Sequence, residues 1–352
     1  VRQLNGYGVQ PDFLIARAAM PLDDKRKEKL AIQVNVPADH IISAPDVSSI
    51  YDVPLNFERD DLSEALLKAL GKKGKQASEM NEWKKFAAHA HNGKDTVTIG
   101  IVGKYFDTGD FVLSDAYLSV IEAIKFSAYH AGVKPQIHWI NAKEYESNPG
   151  RVKELNEYDG VIVPGGFGET GIEGKINAIR FARENKIPYF GLCYGMQLMT
   201  VEYARNVAGL AHANTTEINP KTPFPIIDIL PEQKEKLAQK DYGGSMRLGA
   251  YPCDLKEGTI ARAAYGAKEI SERHRHRFEV NPEYVDRLEK AGLVFSGRSP
   301  DRMLMEIAEL PKSVHPFMVG TQFHPELRAR PLEPHPLFDA FIKAAMAAHK
   351  GK

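Results

Sequence analysis

Residues 187–192, an apolar run of strand character, stop at Cys193, and residues 196–207 continue with helical spacing. A side chain at such a strand-to-helix junction is held in strained backbone and projects above the sheet edge. Gly191 and Gly195, two positions before and two after, keep the crowded turn sterically possible. The thiol also faces the positive end of the following helix, which favours thiolate over thiol. This run therefore demands a sheet from whose strand end a helix springs directly, and it shapes Cys193 as a nucleophile. The bland alternative for an isolated cysteine is a buried structural residue. That reading suits Cys253, which has no glycine-flanked turn.

The surrounding sequence alternates in the same way. Residues 97–102 are β-branched strand sequence. Residues 114–131 predict a helix, with Ser114 as N-cap, Gly132 as stop and one stripe of Tyr117, Val120, Ile121, Ile124 and Ala128. Strands near 136–140 and at 160–163 follow, then a helix at 173–184. The pattern predicts an α/β fold, a mostly parallel central sheet flanked by helices, with its active site at the strands' C-terminal ends. Cys193 lies at one such end, and the glycine turn 164–168 at another. Additional antiparallel strands are predicted at 225–230, 246–255, 293–299, 303–309 and 317–323. Upstream, residues 1–70 carry an extended run (13–16), a charged helix (23–33), a strand (41–43) and a helix (62–70). Residues 71–95, polar and glycine-bearing apart from Trp83 and Phe86, read as a linker before a domain spanning 96–352.

Lysine plus arginine balances aspartate plus glutamate at 46 each, so neither nucleic acid nor an anionic membrane is expected as a partner. No apolar run approaches the ~20 residues that cross a bilayer. Two cysteines in 352 residues suit a reducing, cytoplasmic setting better than a disulfide scaffold.

A thiolate nucleophile needs a base, and the base needs an orienting group. Three His-Pro pairs compete. His315 and His335 sit in proline-flanked sequence and read as solvated loop residues. His324 ends the apolar strand 317–323, and Glu326 follows two residues on, able to fix the imidazole tautomer. As a neutral base, His324 would lose activity as pH falls through ~6.5. The oxyanion donors expected are the amides of Gly166 and Tyr194. No lysine-serine pair follows the glycine turn, which excludes a P-loop. Residues 272–279 alternate charge with period two and read as a solvated antiparallel strand, with zinc at His274 and His276 unsupported by other ligands. Residues 243–249 read as a glycine-bearing lid followed by a strand.

Gly191–Gly195 around Cys193, the turn at 164–168 and the distant His324-Pro325-Glu326 together resemble the class I (triad) glutamine amidotransferases. Residues 101–105, 115–123, 213–217, 243–249 and 272–279 narrow the resemblance to the glutaminase domain of the CTP synthases. Residues 9–17, 35–37 and 46–51 resemble the last portion of the synthase domain in that family, so residues 1–70 are expected to be its C-terminal remnant. The resemblance implies a Cys193–His324–Glu326 triad that hydrolyses L-glutamine without a cofactor. It implies that Gly166, Tyr194, Gly195, Met196 and Gln197 line the glutamine site, with Glu217 on the substrate ammonium and Arg277 on its carboxylate. In the remnant, it implies nucleotide contacts at Arg17, Lys29, Asp46 and Val47, and a GTP-linked contact at Arg247. For the full-length enzyme it implies UTP amination to CTP with ATP and Mg2+, activation by GTP, and a homotetramer. No phosphate loop with lysine and no early acidic magnesium ligands occur, so this chain is expected to lack most of the synthase half and to make no CTP itself. Two other readings stand beside it: the glutaminase subunit of another amidotransferase, or a catalytically silent assembly module.

Overall fold

The computed structural model describes residues 1–74, 79–93, 95–103, 117–166, 168, 170–229 and 246–351. The expected N-cap Ser114, Phe167 of the glycine turn, and Gly243 to Ser245 of the lid lie outside the described residues. Two compact units emerge, Val1–Gly93 and Lys94–Lys352.

The first unit contains α1 (Arg2–Gly6), β1 (Leu14–Ala18), α2 (Asp24–Val34), β2 (Ile41–Pro45), α3 (Val53–Arg59), α4 (Leu62–Ala69) and α5 (Glu79–Asn92). β1 and β2 pair in parallel with Leu14 opposite Ile41. The Asp23 carboxylate caps α2 by accepting from Arg26 N at 2.8 Å. α5 corrects the expectation of a linker across 71–95. Its Trp83 Nε1 donates to Tyr51 O at 2.8 Å, and buried Phe86 meets the Tyr51 ring edge-on at 5.0 Å. Two aromatic residues three positions apart share one helix face, and that face is enough to dock a segment whose composition is otherwise polar.

The second unit begins with β3 (Thr96–Gly103), α6 (Leu118–His130), β4 (Lys134–Asn141), α7 (Ala142–Ser147), β5 (Gly160–Val163), α8 (Ile172–Glu184), β6 (Tyr189–Leu192) and α9 (Tyr194–Asn206). It continues with β7 (Ala213–Thr215), β8 (Phe224–Ile229), β9 (Arg247–Leu255), α10 (Ile260–Tyr265), β10 (Glu269–His276), β11 (Phe278–Val280) and α11 (Pro282–Lys290). β12 (Val294–Arg298), β13 (Met305–Glu309), β14 (Met318–Thr321) and α12 (Pro336–Lys350) complete it. Nine strands form one sheet in the order β10-β9-β12-β13-β14-β6-β5-β3-β4. From β14 to β4 the pairings are parallel, and from β10 to β14 antiparallel. A smaller sheet has the order β11-β8-β7.

Helices cover both faces because successive β6 side chains point to opposite sides. Phe190 packs edge-on against Phe338 of α12 at 5.1 Å, whereas Tyr189 joins the core that includes Met199 of α9 and Ile179 of α8. The predicted strand 317–323 is shorter in the sheet, ending at Thr321, so Gln322 and Phe323 leave the ladder and carry His324 forward. His315 and His335 are buried, not solvated. His335 caps α12 by accepting from Leu337 N at 3.2 Å, and His315 accepts from Phe317 N at 3.3 Å while its other ring nitrogen lies 3.1 Å from Ala182 O. Burial pulls the His315 pKa down to about 4, keeping it neutral.

Candidate active site

Cys193 closes β6 and opens α9 with φ 49° and ψ −97°, a conformation that disfavours any residue with a Cβ. The sheet holds it there: Cys193 N donates to Thr321 O at 2.6 Å, and Gln197 N donates back to Cys193 O at 3.2 Å. Close approach explains both flanking glycines. A Cβ on Gly191 would lie 2.7 Å from the Gly195 carbonyl carbon, and one on Gly195 would overlap Val163 O. Any larger residue would lift α9 off β5 and β6.

His324 arrives through strand register. β14 runs parallel to β6 with Thr321 opposite Leu192, so the residues after Thr321 emerge beside the elbow. His324 N donates to Arg273 O at 2.8 Å, and Pro325–Leu327 makes a single 3-10 turn. That turn swings Glu326 back until its Oε1 lies 2.7 Å from His324 Nδ1. The ring's Nε2 is buried and has no hydrogen-bond partner. A Cβ on Gly165 would meet His324 Cε1 at 3.0 Å and the Cys193 Cβ at 3.7 Å, so ring and cysteine converge over the glycine turn.

Burial alone would lower the His324 pKa. The negative charge of Cys193, and then that of Glu326, outweigh burial and raise it to about 11. At neutral pH these charges keep His324 protonated, whereas the sequence alone suggested an unperturbed imidazole near ~6.5.

The glycine turn gathers some of the expected substrate residues. Gly168 N donates to Glu217 Oε1 at 3.1 Å, and the hydroxyl of buried Tyr194 donates to Gly168 O at 3.4 Å. Gly166 is half-buried in the same turn, and half-buried Arg277 forms the bend between β10 and β11. Gly195 and Met196 are packed inside, with Gly320 against the Met196 backbone. Gln197 turns its amide inward, Nε2 donating to Phe278 O at 2.9 Å and to Gln322 Oε1 at 3.3 Å. Gln322 Nε2 in turn lies 3.7 Å from Cys193 Sγ. Sequence reading missed Gln322; its signal was its place two residues before His324, where strand 317–323 approaches the elbow.

Residues 272–279 are not a solvated strand. Glu272, His274 and His276 are buried on one face while Arg273 and Arg275 are exposed on the other. His274 Nδ1 and His276 Nε2 share a 2.8 Å hydrogen bond. Arg247 is drawn into the same cluster. Its Nη1 donates to Glu306 Oε1 at 2.9 Å and to Glu279 Oε1 at 3.4 Å, and its guanidinium stacks over Tyr251 at 4.4 Å. Among the described residues no group of three or more His, Cys, Asp and Glu side chains is placed to hold a metal ion.

In the first unit, Arg17 and Asp46 meet where β1 and β2 end, and Val47 follows directly in the chain. Arg17 Nη1 pairs with Asp46 Oδ1 at 2.5 Å and donates to Ala44 O, while Asp46 N donates to Ala18 O. Lys29 lies on the exposed side of α2 and makes no hydrogen bond or ion pair with these three. No described helix is long and apolar enough to cross a membrane.

A cysteine elbow, a His–Glu pair from a neighbouring parallel strand and a glycine turn over both define an acyl-transfer site. The family model described as "Glutamine amidotransferase class-I" matches residues 112–344, and that described as "CTP synthase N-terminus" matches residues 1–72. The chain belongs to the class-I glutamine amidotransferase family. Its similar relatives narrow this further. It is 48% identical to the CTP synthase of Methanocaldococcus jannaschii over 98% of this chain and 63% of that protein. It is 47% identical to the CTP synthase of Shouchella clausii over 99% of this chain and 63% of that protein. The chain thus spans 63% of the length of these relatives. The solved glutaminase domain of a Trypanosoma brucei CTPS with bound acivicin is 34% identical with a TM-score of 0.65, covering 71% of this chain and 94% of that one.

Proposed function

We propose that Lys94–Lys352 is a glutaminase whose nucleophile is Cys193. The Sγ thiolate attacks the side-chain carbonyl carbon of L-glutamine, and the carbonyl oxygen becomes an oxyanion facing the amides of Gly166 and Tyr194. His324 gives its proton to the amide nitrogen, the C–N bond breaks, and ammonia leaves behind a γ-glutamyl thioester. Water then attacks the thioester, losing a proton to His324. Glutamate departs as the thiolate is regenerated. Glu326 holds the imidazolium orientation throughout. Glu217 and Arg277 meet the substrate ammonium and carboxylate, with Tyr194, Gly195, Met196 and Gln197 shaping the wall.

The observation that carries this reading is the raised, glutamate-paired His324 beside a thiol held at positive φ. We further propose that residues 1–70 complete a synthase domain in the whole protein, with α5 packed on that part of the chain. That protein would use ATP with Mg2+ to phosphorylate O4 of UTP, and ammonia would displace the phosphate to give CTP. Arg17, Lys29, Asp46 and Val47 would contact nucleotide there. The same reading brings GTP activation, a homotetramer and a cytoplasmic location. Among the described residues no carboxylate cluster is placed to hold magnesium. Arg247, whose guanidinium engages Glu306 and Glu279, is the candidate for a GTP-linked contact.

The test is glutamate release from glutamine by the chain, together with labelling by acivicin. Activity and a mass adduct on Cys193 are expected, and both should vanish in Cys193→Ala. Glutamine hydrolysis that survives that substitution would sink the assignment.

A further inference from the structure

The amide of Gln322 has a single orientation, and a backbone carbonyl sets it. Phe278 O can only accept, so Gln197 must turn its nitrogen toward it, at 2.9 Å. The second hydrogen on that nitrogen points at Gln322 across 3.3 Å, so the facing atom of Gln322 is its oxygen. Gln322 Nε2 is left on the other side of the amide, 3.7 Å from Cys193 Sγ. Gln322, Gln197 and Cys193 are 0%, 3% and 4% exposed, so water offers no alternative partner. The Gln322 backbone is fixed as well, its N donating to Glu306 O at 2.8 Å. Flipping either amide would set like atoms against each other in a buried place.

We propose that Gln322 is a catalytic residue whose amide N–H holds the Cys193 sulfur as a thiolate, and that Gln197 is the positioning residue that makes Gln322 present nitrogen. The proposal rests on the reading of Cys193 as nucleophile. A thiol or thioester sulfur accepts hydrogen bonds weakly and a thiolate strongly. The bond therefore favours the proton's residence on His324 before attack. It favours expulsion of the sulfur again when water breaks the thioester. His324 and Gln322 thus stabilise the same charge from two sides, both supplied by the end of β14.

The experiment follows carboxamidomethylation of Cys193 by iodoacetamide as a function of pH, read by peptide mass, in the full chain and in Gln322→Met and Gln197→Met. Methionine keeps the volume and removes the donor. In Gln322→Met the half-maximal pH of alkylation should rise by about one unit. Gln197→Met should move it the same way by less. If either variant fails to fold, the other carries the test. Profiles superimposable on the parent, with Cys193→Ala inactive on glutamine, overturn the role of Gln322 while leaving the nucleophile in place. Hydrolysis retained by Cys193→Ala overturns both.

Discussion

His324 and His274 each lie beside a glutamate in the same unit, yet the two imidazoles are driven in opposite directions. His324 sits 2.7 Å from Glu326 and its pKa rises to about 11. His274 sits 3.6 Å from Glu306, and its pKa falls to about 3, first through burial and then through the charge of Arg247. Its neighbour His276, 3.4 Å from Glu279, is pushed well down by the same causes. The deciding factor is the third charge. Beside His324 it is the negative charge of Cys193, which adds to that of Glu326. Beside His274 it is a guanidinium, which already engages the carboxylates and repels a second cation. A buried His–Glu pair thus favours the protonated imidazole in one place and the neutral one in the other.

The largest way to break this contrast is to remove the Cys193 sulfur. Cys193→Ala should lower kcat for glutamine hydrolysis by roughly 10^4-fold or more, with folding intact by circular dichroism. Glu326→Gln removes one of the two charges that lift His324. Activity should drop by about 10^2- to 10^4-fold, and the alkaline limb of kcat/KM should move to lower pH. An unmoved limb would show that Glu326 does not set the imidazole's charge.

Removing the guanidinium tests the other side. Arg247→Met leaves Glu279 and Glu306 buried without their cation, and denaturant unfolding should register a loss of about 3–5 kcal/mol. The pH dependence of stability separates the two sites. The unfolded chain binds more protons than the native one wherever His274 is held neutral, so stability should fall as pH drops from about 6.5 toward 3. His324 has the opposite sign: its contribution is complete below about 6.5 and is lost as pH rises toward 11. His324→Gln should flatten only the alkaline side, and His274→Gln only the acid side. The smallest effect belongs to an exposed pair. Arg180→Ala, which breaks the 2.9 Å bridge to Glu184 on the surface of α8, should change stability by about 0.3–0.5 kcal/mol.

Local pattern made much of this molecule legible. The strand-to-helix turn at Cys193, the strand at 160–163 and the helix at 173–184 are short-range features of spacing and composition, and they lie where the chain places them. His324 and Glu326 were legible because a single turn joins them. α5 was hidden, since its two docking aromatics are outnumbered by polar residues. His315 and His335 were hidden for a related reason: proline-flanked sequence suggests solvent, whereas a helix N-terminus and a carbonyl of a distant segment gave them buried partners.

By itself the sequence determined the elbow, the pairing of His324 with Glu326, and the alternation that makes a mostly parallel sheet. These depend on residues within a turn or two of one another. Only the tertiary structure decided that Thr321 lies opposite Leu192, that Gln322 faces the sulfur through an amide set by Gln197, and that Arg247 points into a charged core. It also decided the charge state of each histidine, because burial and the nearest third charge are properties of residues brought together from far apart along the chain.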